Sequence, residues 1–151
     1  MHIETVTGIT DEVYEAVTRL TPQLGAHKAP PTRDELTALV KSEGSTLLIA
    51  RHPDETGAIA GMLSLTVYRV PTGIRSIVED VIVDESMRRR GIAEALMLRA
   101  IERAREAGAN GVSLTSNPKR EAANKLYQAL GFQKRETNAY FYKLDLLQKS
   151  N

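Results

Sequence analysis

Ile77-Val78-Glu79-Asp80-Val81-Ile82-Val83-Asp84-Glu85-Ser86-Met87-Arg88-Arg89-Arg90-Gly91-Ile92-Ala93 leads directly into Glu94-Ala95-Leu96-Met97. The first part is dense in β-branched residues, as expected of a central strand covered on both faces. Two acids, Glu79 and Asp80, interrupt it and require an explanation, because carboxylates seldom sit in such a strand without a role. After the turn, Ile92, Ala93, Leu96, Met97, Ala100, Ile101 and Ala104 recur with a helical period. Charged residues fill the other face, and Gly108 is placed to end the helix in a left-handed conformation. The helix start, Arg88 to Ala93, offers unpaired main-chain N–H groups, the positive end of the helix dipole and little side-chain bulk at Gly91 and Ala93. These are the elements of a phosphate cradle. It lacks the Gly-Lys-Ser/Thr of the nucleotide-binding P-loop and the three glycines of the dinucleotide fingerprint. A basic turn capping a surface helix fits the same residues.

Composition narrows the alternatives. The chain has 151 residues, enough for one domain with a real core, and 42% of them are hydrophobic. No apolar run approaches the roughly 20 residues needed to span a bilayer. Met1-His2-Ile3-Glu4 has neither the basic nor the apolar segment of a secretion signal. With no cysteine there is no thiol nucleophile, disulfide or thiolate metal site, and a reducing, cytoplasmic setting is expected. Twenty basic residues against 19 acidic ones give +1, which offers no support for a nucleic-acid partner. His2, His27 and His52 lack ligand spacing, so no metal is expected.

The remaining chain reads as one α/β domain over residues 1–151. Residues 2–7 form a first strand. Thr10 caps a helix that Pro22 should end or kink, and Thr32-Arg33-Asp34-Glu35 is a capping box that opens a second helix. Residues 45–51 and 58–70 form a hairpin, followed by the central strand. Beyond the long helix, 111–116 is a short strand. Asn117-Pro118 starts a further helix with Asn117 as its cap, and the last strands are expected at 132–137 and 139–145.

Two segments together carry a family resemblance. Arg88-x-x-Gly91-x-Ala93 fits the pattern Q/R-x-x-G-x-G/A, and Ala123, Leu126, Tyr127, Gly131 and Phe132 complete A-x-x-L-Y-x-x-x-G-F at a suitable distance. Over about residues 76–145 the chain resembles the GNAT N-acetyltransferase superfamily. The resemblance implies a mixed, largely antiparallel sheet flanked by helices and splayed between the strands at 76–84 and 111–116. It implies acetyl-CoA as cosubstrate, with the pyrophosphate on Arg88, Arg89, Arg90, Gly91, Ile92 and Ala93. The pantetheine arm would pair with the main chain of Val81, Ile82 and Val83, while Asn117 and Asn124 are weaker contacts. Tyr127 would stand near the thioester sulfur, where a phenol can protonate the departing thiolate; by itself it equally fits a half-buried core aromatic. Many relatives carry Asn or Ser seven residues before that tyrosine, where this chain has Arg120.

An amine acceptor must lose a proton before it attacks. Glu79 is the candidate base and Asp80 the second choice, and strand alternation would set them on opposite faces. A salt bridge or recognition of a substrate cation fits these acids as well. The expected acceptor is a small-molecule or peptide amine, bounded by residues 24–32, 68–74 and 137–140, with His27, Tyr68, Arg69 and Tyr140 as candidate lining. A homodimer is the family's usual arrangement. The main competitor is a non-catalytic acyl-CoA-binding sensor or scaffold, which would need the cradle but neither Glu79 nor Tyr127.

Overall fold

Local chemistry sets the starts of the first two helices in the computed structural model, which describes residues 1–145. The chain divides into two compact units, Met1–Asn117 and Pro118–Asn151, which are taken separately. In the first, β1 (His2–Thr5) is followed by α1 (Asp11–Leu20), a 3-10 turn (Thr21–Leu24) and α2 (Arg33–Lys41). Thr10 caps α1 by accepting the Val13 N–H at 3.2 Å, and Thr32 caps α2 by accepting the Glu35 N–H at 3.1 Å. Each cap satisfies a main-chain donor that the helix itself leaves unpaired.

Strands β2 (Ser45–His52), β3 (Ala58–Val70) and β4 (Gly73–Val83) continue the sheet. A 3-10 turn at Glu85–Met87 then leads to α3 (Ile92–Glu106), and β5 (Val112–Ser113) closes the unit. The sheet order is β1-β2-β3-β4-β5, antiparallel except for the parallel β4–β5 pair. One face is covered by α1 and α2, with Val13, Val17, Leu20 and Leu36 packed on Leu47, Ile49, Met62 and Ile82. On the other, α3 lies against β2, β3 and β4 and buries Ile92, Leu96, Met97 and Ala100 almost completely. Burying each larger side chain contributes roughly 1.5–3 kcal/mol. Gly108 (φ +77°) ends α3 as expected, and the Ala109 N–H reaches back to the Ala104 carbonyl at 3.0 Å.

Two irregularities mark β4. It pairs with β5 only at Ser76↔Val112 and Ile77↔Ser113, so within this unit the edge from Val78 to Val83 has no strand beside it. The sheet is splayed there, as the resemblance implied, although the last strand of the unit is shorter than the expected 111–116. On its other side β4 carries a bulge. Met62 pairs with Ile82 and Ser64 with Glu79, so Leu63 alone faces both Asp80 and Val81. Asp80 takes a left-handed conformation (φ +51°).

In the second unit, α4 spans Glu121–Ala129 and stops at Gly131 (φ +100°). Its start differs from expectation: Arg120 occupies the cap position, so Asn117 does not cap α4 and Pro118 precedes its first turn. The expected strands at 132–137 and 139–145 are not formed. Residues 132–145 join no ladder, and Tyr140, Phe141 and Tyr142 are 86–90% exposed. Aromatic alternation gives a segment β propensity, but a strand exists only where another strand accepts its hydrogen bonds.

Candidate functional site

The turn between β4 and α3 is built from residues of alternating hand. Arg88 is extended (φ −67°, ψ 161°), Arg89 is left-handed (φ +64°), and Gly91 is left-handed again (φ +75°) as the N-cap of α3. Alternating backbone hand turns successive N–H groups toward a common centre, the geometry of an anion nest. The first N–H groups of α3 add to it because no residue of the helix can accept them. A Cβ added at Gly91 would meet nothing within 4 Å, so glycine is needed for its dihedral freedom and not for space. For an arginine the left-handed region costs about 1–2 kcal/mol, and such strain concentrates at functional sites.

Arg88, Arg89 and Arg90 are all exposed, and among the described residues no hydrogen bond or ion pair engages their side chains. Three unpaired cations at the positive end of a helix repel its dipole, and an anion there would reverse the sign of that interaction. The residues present therefore suit a diphosphate.

Below the turn, Val81 and Val83 are half-buried and Ile82 is 4% exposed in the core. On one side Ile82 and Val83 pair with Met62 and Gly61 of β3, and on the other side this stretch of β4 has no strand beside it within this unit. The bulge corrects the expected simple alternation. Glu79 and Ile82, three residues apart, pair with Ser64 and Met62, which share a face of β3. Glu79 and Asp80 are exposed, and among the described residues neither is held in an ion pair.

Residues that carried no motif in the sequence position this turn. Asp84 accepts the Ser86 N–H (3.1 Å) and hydroxyl (3.0 Å) on one oxygen and Arg19 Nε (3.1 Å) on the other. Burial alone would raise its pKa, but these donors together hold the carboxyl below its ordinary value. Gly61 brings β3 close to the bulge and to α3. A Cβ there would stand 2.8 Å from the Ile82 oxygen, 3.1 Å from Ile92 Cγ2 and 3.3 Å from Leu96 Cδ1. The Asp84-x-Ser86 spacing, typical of a side-chain-closed turn, was a readable signal. Gly61, one glycine in an apolar strand, gave a weaker one.

In the second unit, Tyr127 is 7% exposed and meets Phe132 edge to face, ring centroids 6.0 Å apart at 61°. Burial raises its pKa above the ordinary phenol value, against a smaller lowering by Arg120. The hydroxyl therefore keeps its proton at neutral pH. Asn124 donates from Nδ2 to the Arg120 carbonyl (2.9 Å) within its own helix. Asn117 belongs to the first unit, so the structure brings the cradle and β4 residues together there, while Asn124 and Tyr127 share α4.

Of the candidate acceptor residues, His27 and Tyr140 are exposed. Tyr68 and Arg69 line an open cavity of about 570 Å³ with Thr46, Leu65, Ile74 and Arg103. It lies at the C-terminal end of α3, about 22 Å along that helix from the cradle. The first unit thus places Tyr68 and Arg69 away from the phosphate turn. Among the described residues no group of His, Asp or Glu side chains could hold a metal, and no helix is long and apolar enough to cross a membrane.

Residues 10–132 match the sequence model of the acetyltransferase (GNAT) family. The chain belongs to that family. This GNAT chain shares the fold of many solved structures. It is 26% identical to an acetyltransferase of Trypanosoma brucei, with 96% of this chain and 99% of that one covered and a TM-score of 0.74. An aminoglycoside acetyltransferase from an uncultured soil metagenomic sample, solved with trehalose, is 18% identical over 95% and 96% of the two chains, with a TM-score of 0.81. A transcriptional regulator from Bacillus halodurans is 23% identical over 94% and 100%, with a TM-score of 0.77. No curated protein matches the sequence. GNAT membership brings acetyl transfer, with acetyl-CoA as the general cosubstrate, to this chain.

Proposed function

We propose that this chain is an N-acetyltransferase that moves acetyl from acetyl-CoA to a primary amine by direct attack in a ternary complex. The observation that carries the reading is the turn of alternating hand at Arg88–Gly91, opening α3 after a strand whose edge from Val78 to Val83 has no strand beside it within the first unit. Its N–H groups and arginines suit the diphosphate of the coenzyme. Those main-chain groups of Val81, Ile82 and Val83 that face away from β3 suit the amides of the pantetheine arm, which adds to the edge as a strand would. Asn117 and Asn124 are secondary contacts in the same proposal.

Glu79, exposed beside the bulge, takes the proton from the ammonium directly or through one water, with Asp80 the alternative. The freed lone pair attacks the thioester carbonyl, and the C–N bond forms. A main-chain N–H near Val81 steadies the oxyanion. When the C–S bond breaks, the Tyr127 hydroxyl donates to the leaving thiolate, giving the amide and free coenzyme A. The chain has no cysteine to carry a thioester intermediate, which supports direct transfer. Small-molecule amines, aminoglycosides among them, and peptide amines are the acceptor classes. A cytoplasmic homodimer is part of the proposal, and light scattering checks its stoichiometry.

Calorimetric titration with coenzyme A, followed by thiol-release assays over an amine panel, tests the reading. Tyr127→Phe and Glu79→Gln should each lower kcat by about 100-fold or more while coenzyme affinity stays near wild type. Because the raised Tyr127 pKa keeps the phenol protonated, activity should hold on the alkaline side beyond the pH at which an ordinary phenol ionises. Binding with no turnover on any amine would assign the chain as an acyl-CoA sensor. No affinity for the coenzyme would end the proposal.

A further inference from the structure

Arg19 stands in the last turn of α1, 65 residues before the acid it meets. Its guanidinium donates from Nε to Asp84 (3.1 Å) and from Nη2 to the Ile59 carbonyl (2.7 Å). The Asp84 N–H is anchored on the Ala60 carbonyl at 2.8 Å, and the Met87 N–H on the Asp84 carbonyl at 2.8 Å. Gln23, in the 3-10 turn after α1, accepts the Glu85 N–H at 3.0 Å. Thus α1, the turn after it and the start of β3 all converge on residues 84–87, directly before the arginine turn.

A lone surface ion pair contributes little. This one differs because the Asp84 side chain is only 17% exposed and its carboxylate accepts three hydrogen bonds, two of which close the turn at Ser86. Nor does α1 need Arg19 to stay in place, since Val13, Ala16, Val17 and Leu20 already fix it in the core. The polar contacts of Arg19 therefore act on the segment after β4. An anion nest binds well only if its N–H groups are ordered before the ligand arrives, since fixing a residue on binding costs about 1–2 kcal/mol.

We infer that Arg19, Gln23 and Asp84 form a clamp that presets the phosphate turn, making them positioning residues for the acyl donor. The inference rests on the proposed diphosphate role of residues 88–93. None of the three touches the donor; they act through the Glu85–Met87 turn.

The test uses the full chain, with coenzyme A binding by calorimetry and kcat and KM from thiol release. Arg19→Met, Asp84→Asn and Gln23→Ala should each weaken coenzyme affinity about five- to tenfold and raise KM for the donor in parallel. kcat at saturating donor should stay within about twofold, because the reacting groups are untouched. The Arg19→Met/Asp84→Asn double variant should bind no more weakly than the worse single, since both remove one shared link. Wild-type affinity in Arg19→Met and Gln23→Ala, or a fall in kcat at unchanged affinity, overturns the inference. Arg19 is exposed and Gln23 half-buried, so these two variants decide the matter even if Asp84→Asn fails to fold. A wild-type chain that does not bind coenzyme A is a different result and removes the proposed function instead.

Discussion

The two ends of α3 are both rich in arginine, and they use it in opposite ways. Toward the C-terminal end Arg99, at mid-helix, pairs with Glu102 (3.3 Å) and Glu106 (3.6 Å), Arg103 donates to Thr46 (3.3 Å), and Arg103 and Arg105 in the last turn complement the helix dipole. At the N-terminal end Arg88, Arg89 and Arg90 face the unfavourable pole with no partner among the described residues. Gly108 closes one end with a carbonyl satisfied behind it, whereas Gly91 opens the other onto unfilled space. Composition alone would score the ends alike. What separates them is whether the charge has already been answered from within the protein, and this makes the unanswered end the one to probe with ligand.

Replacing Arg88, Arg89 and Arg90 together by alanine should produce the largest effect, weakening coenzyme affinity by about 100-fold and flattening its salt dependence. The same variant should melt no lower than wild type, because it removes charges that oppose the dipole. Arg103→Ala should leave coenzyme affinity unchanged in the same titration, and a large loss there would break the contrast. Glycine replacements sharpen it at smaller cost. Gly91→Ala and Gly108→Ala should each lower stability by about 1 kcal/mol in denaturant melts, both glycines having positive φ. Only Gly91→Ala should also weaken coenzyme binding. The smallest effect concerns acid. Asp84 has a depressed pKa, so its stabilising contribution is present above the ordinary carboxylate value of about 4 and is lost as pH falls through its lower folded value. Asp84→Asn should therefore lose less stability than wild type across that acid window, read as melting temperature against pH.

Much of this architecture was legible in the sequence for identifiable reasons. Thr10 and Thr32 announced α1 and α2 because an N-cap is a purely local transaction between a hydroxyl and an N–H two or three residues ahead. The arginine turn was legible because a glycine before an amphipathic run marks where a helix can start. The β4 bulge was not legible, because inserting one residue in a ladder is settled between two strands, and Glu79 and Asp80 look alternate until Ser64 and Met62 fix the register. The start of α4 was misplaced because Asn117-Pro118 is a good local start, yet the helix begins at Glu121 without a side-chain cap. Residues 132–145 misled for the converse reason: their alternation states a preference that only a neighbouring strand can fulfil. Arg19 and Asp84, 65 positions apart, carried no joint signal at all.

Gly61 acts as a gauge block. With no alkyl group between the Ile82 carbonyl and the Ile92 and Leu96 side chains, α3 seats at a distance from the strand set by a hydrogen atom. In the proposed donor complex the thioester arm has a fixed reach, so one added carbon at this position is expected to shift where its carbonyl lands relative to the bulge. An engineer wishing to admit longer or bulkier acyl groups would begin there, several residues from any atom that reacts.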